Sequence, residues 1–252
     1  MGKLGSIVGR NCSYPSGGRM RPQPRDLRHN GALADLGGPF DNIVGHRFSH
    51  SSHSEELNRL TEQLSLVDDK PKDLAERLLY RFGSVSGIFD APADELQNFA
   101  KAGELWPQVV IAMRSLFIDA LQYKIYRKRV GDDLTPSATY CHALLRGKRT
   151  EAMMIFFADE EGYVISEDCI EGGSTSQLVV SSRTILGRAL NLNAHRLLLA
   201  HNHTSGSAEP SEADVYYTRQ LINQAKALSI RIDDHLIVGR HEVVSMNLRG
   251  LL

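Results

Sequence analysis

Cysteine is scarce in this chain: Cys12, Cys141 and Cys169 are the only three in 252 residues, far apart, with no C-x-x-C pair. An odd, dispersed set excludes a disulfide framework and a thiolate zinc site, and it fits a reducing compartment. Net charge is equally scarce. A formal charge of -1 and a pI near 6.8 give no global attraction to nucleic acid or to a membrane surface. No apolar run approaches the roughly 20 residues of a membrane span, no signal-peptide core is visible, and no fixed-period repeat marks a solenoid. The expected setting is cytoplasmic. What is present is a chain with 42% hydrophobic residues, long enough for one medium domain or two small ones.

Residues 1–52 are rich in Gly, Pro, Ser and Arg. Up to position 40, six basic residues (Lys3, Arg10, Arg19, Arg21, Arg25, Arg28) stand against Asp26 and Asp35. This composition reads as a disordered basic tail. Its first residues, Met1-Gly2-Lys3-Leu4-Gly5-Ser6, also match the short N-myristoylation pattern, and Arg/Ser enrichment is shared with transit peptides.

Residues 53–131 read as a small helical domain. Pro71-Lys72-Asp73 opens a helix with Leu74, Leu78, Leu79 and Phe82 at helical spacing, stopped by Gly83. A second piece runs from Pro92 to Ala100. A third has Pro107 in its first turn and an apolar stripe of Val110, Met113, Leu116, Phe117, Ala120 and Leu121, ending in the basic Lys124-x-x-Arg127-Lys128-Arg129.

From 132 to 252 the pattern becomes mixed α/β. The spacing predicts a helix at 136–146, strands at 151–158 and 163–170, a helix from Ser182 to Leu192 and a strand at 195–201. A helix at 211–228 and strands near 231–238 and 242–248 follow. Such interleaving predicts one sheet flanked by helices.

The most informative stretch is LLLAHNHTSGSAEPSEAD, residues 197–214. Leu197 to Ala200 read as a buried strand running into His201-Asn202-His203. On an extended chain positions i and i+2 point the same way, so His201 and His203 can grip one ion. The Gly/Ser segment turns the chain and returns Asp214 as a third ligand. Two imidazoles and a carboxylate suit a divalent transition metal, most simply zinc with an open fourth position. The same letters also make a helix start, with Ser211 as N-cap and Asp214 at N3. Amidohydrolases place His-x-His on a barrel strand, but only 51 residues follow position 201 here. Zinc deaminases need a P-C-x-x-C that this chain lacks.

His-x-His, seven residues, then Ser-x-x-Asp resembles the metal signature of JAB/JAMM (MPN) metalloprotease-like domains. The flanks AHNHTSG, PSEAD and DDHLIVG are similar to the bacterial RadC-type branch, over roughly residues 135–252. That branch usually carries proline where this chain has Thr204, which is not a ligand position. The resemblance implies a JAB-type α/β sandwich, zinc as cofactor, and water attack on a peptide or isopeptide bond of a protein substrate. It further implies an upstream glutamate at a strand start, for which Glu151 is the candidate, acting as base on the zinc's water. Glu160, Glu161, Glu167 and Glu171 are weaker candidates. By the same resemblance Ser211 steadies an oxyanion, and the adjacent Asp234 and His235 lie near the site without being ligands. Neighbours on a strand face opposite ways, so only one of the pair would face the metal loop.

In RadC-type proteins the helical region resembles a helix-hairpin-helix module that offers backbone N–H groups to a DNA phosphate. Here the corresponding turn is Ala102-Gly103-Glu104-Leu105-Trp106, with one glycine and an acidic residue where a phosphate would approach. DNA association and an inert metal-binding interaction domain are the two alternatives to the enzyme.

Overall fold

The structure, a computed structural model, describes residues 53–172 and 180–252. The basic tail, and all but the first two residues of the Gly-rich EGGSTS turn, lie outside the described residues.

The helical region comprises α1 (His53–Leu64), α2 (Pro71–Phe82), α3 (Val85–Asp90), α4 (Ala93–Phe99) and α5 (Trp106–Ile125). Gly83 stops α2 as its sequence requires: at φ 81° it donates its N–H to Leu79 O at 2.8 Å. The spacing singled out neither α1 nor the six-residue α3, which Ser84 caps by accepting from Gly87 N at 3.0 Å. Leu74, Leu78, Leu96 and Trp106 are fully buried together, and α5 then leaves this core for the next. Trp106 and Val110 pack among the helices, whereas Leu121 and Ile125 pack against the sheet that follows.

The stripe foreseen on α5 divides. Val110 and Leu121 are buried, but Met113, Leu116, Phe117 and Ala120 face outward. The inward side is completed instead by Ile111, Arg114 and Ile118, and Arg114 donates to the carbonyls of Phe89 and Ala91 at 3.0 and 2.9 Å.

The remainder is α6 (Thr135–Leu145), β1 (Ala152–Ala158), β2 (Val164–Glu171), α7 (Ser182–Asn191), β3 (Arg196–Asn202), α8 (Glu212–Lys226), β4 (Arg231–Val238) and β5 (Val243–Ser245). The five strands form one mixed sheet in the order β2-β1-β3-β4-β5; β3 and β4 are parallel and the other neighbours antiparallel. Helices cover both faces. Met154, Phe156, Leu198 and Ala200 pack towards α5 and α6, while Met153, Ile155, Leu197 and Leu199 pack towards α7 and α8. Two-sided coverage explains why β1 reads as the unbroken apolar run AMMIFFA, buried at every position. β5 is shorter than its sequence pattern, because Met246–Gly250 turns back with Leu251 N on Met246 O at 3.0 Å. Among the described residues no helix is long and apolar enough to cross a membrane.

Candidate metal centre

The site gathers where β1 begins, β3 ends and α8 begins. His201, paired with Met153 of β1, faces the α7/α8 side of the sheet. His203 lies one residue beyond β3, yet its N–H still bonds Val238 O at 3.3 Å, so the alternation persists and both rings share a side. Their centroids are 4.8 Å apart. The turn that follows is pinned to the end of β4. Gly206 N donates to His203 O at 3.0 Å, and Gly206 O accepts from Arg240 N at 2.8 Å. A Cβ at Gly239 would lie 2.8 Å from Gly206 O and Ala208 N, so that approach needs glycine. These contacts hold the turn that begins at Thr204.

Ser211 then caps α8 with a complete capping box. Asp214 N donates to Ser211 Oγ at 3.2 Å; Ser211 N and Oγ donate to Asp214 Oδ2 at 2.7 and 2.6 Å. The cap reading and the ligand reading are therefore one arrangement. The box aims the Asp214 carboxylate at the histidines, with Oδ1 3.2 Å from His201 Nε2 and Oδ2 3.1 Å from His203 Nε2. All three ligand atoms fall within 4.8 Å of one another, and no other such His/Cys/Asp/Glu group occurs among the described residues.

The hydrogen bonds behind the ligands fix which nitrogen His201 presents. Thr218 Oγ1 donates to Asp214 O at 2.7 Å, so towards His235 Nδ1, 2.6 Å away, it can only accept. Burial, with the neighbouring His201 adding to it, pushes the His235 pKa well below its ordinary value, so this ring carries one proton, on Nδ1. Its Nε2 therefore accepts from His201 Nδ1 at 2.8 Å, which turns His201 Nε2 towards Asp214 Oδ1. Nε2 is then the nitrogen that a metal ion beside Asp214 would take. Tetrahedral zinc with ligand bonds of roughly 2.0–2.1 Å separates its ligand atoms by about 3.3 Å, close to the two separations here. The donor set fits the ion.

The charges agree. Burial pushes the Asp214 pKa up, but hydrogen bonds from His201, His203 and Ser211 outweigh it and hold the carboxyl below the usual range. The Asp214 contact raises His203, and the charge of Glu151 adds to the rise.

Glu151 directly precedes β1, whose Met153 pairs with His201, and it lies near enough for its charge to act on His203. Asn202, the middle letter of H-N-H and 2% exposed, escaped the sequence reading. Its Oδ1 accepts from Ala152 N at 2.8 Å and its Nδ2 donates to Thr150 O at 3.2 Å, clamping the backbone on both sides of Glu151. Thr218 was missed for the same reason: neither residue type betrays a partner distant in sequence. The weaker glutamates lie elsewhere. Glu167 is held by Tyr140 and Gln122 on the opposite face, Glu171 pairs with Lys148, and Glu160 and Glu161 sit in the turn at the far end of β1.

Asp234 and His235 separate as strand alternation requires. His235 backs His201, whereas Asp234 accepts from Asn247 N at 2.9 Å, His235 N at 2.7 Å and Ser245 Oγ, fastening β5 and the C-terminal turn. His235→Ala is expected to weaken zinc affinity roughly 10–100-fold, and to cost some stability as well because it empties a buried, hydrogen-bonded position. Asp234→Ala is expected to lose about 2–4 kcal/mol of stability at unchanged zinc affinity, because it strands buried donors. Zinc titrations and thermal melts of both variants check the pair; the reverse pattern would exchange their roles.

Comparison with known proteins agrees with this architecture. A family model described as the RadC-like JAB domain matches residues 133–251. A UPF0758 protein of Rhodobacter capsulatus is 31% identical over 197 residues, covering 78% of this chain and 92% of its own length. UPF0758 proteins from two Vibrio vulnificus strains, YJ016 and CMCP6, are each 37% identical over 181 residues, covering 71% of this chain and 80% of theirs. The chain belongs to the RadC-like JAB domain family.

Proposed function

We propose that the chain is a zinc-dependent hydrolase of amide bonds, peptide or isopeptide, in a protein or peptide substrate. The observation that carries this reading is the Asp214 carboxylate bridging His201 and His203 at 3.2 and 3.1 Å, with Glu151 near enough for its charge to act on His203. Bound zinc supplies a Lewis acid and lowers the pKa of a water towards 7. Glu151 accepts the attacking water's proton and returns it to the leaving amine. Asn202 keeps that carboxylate's backbone in place. Ser211 takes the oxyanion role by turning its one hydroxyl hydrogen from Asp214 Oδ2 to the developing oxyanion.

The hairpin turn does not favour a DNA-binding reading of the helical region. In its hairpin turn Glu104 accepts from Lys101 N at 2.8 Å, Trp106 Nε1 at 2.9 Å and Arg77 Nη1 at 2.8 Å. The bond from Arg77, above all, lowers its pKa to about 2. A carboxylate of the chain thus stands on the backbone donor that a phosphate would seek.

The test is hydrolysis of peptide and isopeptide-linked substrates by the full chain loaded with zinc. Activity should vanish with a chelator and return with added zinc. Tight zinc binding without hydrolysis of either linkage would favour the inert interaction domain.

A further inference from the structure

The outward side of α5 is apolar along most of its length. Met113, Leu116, Phe117 and Tyr123 are 54%, 68%, 56% and 63% exposed; no described element covers the first three, and Tyr123, at the end of the stripe, carries Arg127 stacked on its ring and donating to its hydroxyl at 2.9 Å. Val109, Met113, Leu116, Ala120 and Tyr123 follow one another in steps of four, three, four and three residues. This is the spacing of a two-helix seam, in which each side chain enters a gap on a facing helix. Polar Gln108, Ser115 and Asp119 fall along one flank by helical geometry, and Asp119 and Lys124 are the only exposed charges on the helix. An isolated surface helix carries more charge and a narrower apolar stripe on its outer side.

We infer that α5 is the interface of a homodimer, in which two copies pack helix on helix about a two-fold axis near Leu116. Leu116 lies seven residues from both Val109 and Tyr123, so the stripe is centred on it and is complementary to a second copy of itself. The four large side chains leave about 500 Å² per copy, given typical side-chain areas. With Val109, Ala112, Ala120 and the flanks, a dimer buries about 1,200 Å² in total, at the lower limit of specific interfaces. An interface at that limit is expected to be a weak one.

Sedimentation of the full chain across the micromolar range tests this. The expected mass moves towards twice the 28.0 kDa chain mass as concentration rises. Leu116→Glu places two like charges at the axis and should weaken dimerisation by about 100-fold or more, while its melting temperature stays near wild type because the side chain is exposed. Leu116→Cys should form a cross-linked dimer on oxidation at levels that the wild-type cysteines do not match. A wild type that stays monomeric overturns the dimer and assigns the stripe to residues 1–52 or to another protein. A dimer that survives Leu116→Glu overturns the interface.

Discussion

Replacing Asp214 with alanine is expected to remove nearly all bound zinc while leaving the sheet folded. The carboxylate holds both imidazoles, and two histidines alone make a poor zinc site. The fold survives because the sheet's two cores, built on residues such as Phe156, Phe157 and Leu198, do not include Asp214. The cost to the fold is the capping box, about 1 kcal/mol. Metal content by mass spectrometry, beside far-UV circular dichroism, decides the matter. Equal zinc in wild type and in a His201→Ala/His203→Ala variant would refute the ligand set altogether.

Glu151→Gln should show the converse: full zinc content with hydrolysis lowered roughly 10²–10⁴-fold. The amide can still hydrogen-bond a water, but it cannot take its proton. The clamp by Asn202 acts on the backbone either side of residue 151, so the substitution leaves the strand start in place. Wild-type rates for Glu151→Gln on any substrate that the wild type cleaves would point to a different base. A variant that lost zinc as well as activity would instead make Glu151 a participant in metal binding.

What could be read from the sequence, and what could not, divides along one physical line. Features set by local periodicity were legible. The two buried faces make β1 uniformly apolar, the i, i+2 rule places His201 and His203 together, and Ser211-x-x-Asp214 marks a helix start. Even the split of Asp234 from His235 followed from alternation. The pattern could not say which apolar side of α5 meets the protein. Val110 and Leu121 lie on the inward edge of the same broad stripe that exposes Leu116, and the choice depends on where the sheet and the small helices sit. Nor could spacing reveal Asn202 and Thr218, whose partners lie 52 or 50 residues away in one case and 17 in the other. A polar side chain buried by tertiary contacts looks, in sequence, like one facing water.

The capping box at Ser211 has a consequence for the order of events. In zinc-finger domains the ion and the fold arrive together, because the ligands have no fixed places beforehand. Here the first turn of α8 aligns the Asp214 carboxylate through its own hydrogen bonds, and Thr218 and His235 align His201. The coordination sphere is preorganised, so little side-chain entropy is lost when an ion enters. On the proposed reading, metal loading is expected to be a reversible docking onto a finished scaffold, separable from folding, so that the chain could be emptied and refilled without passing through an unfolded state.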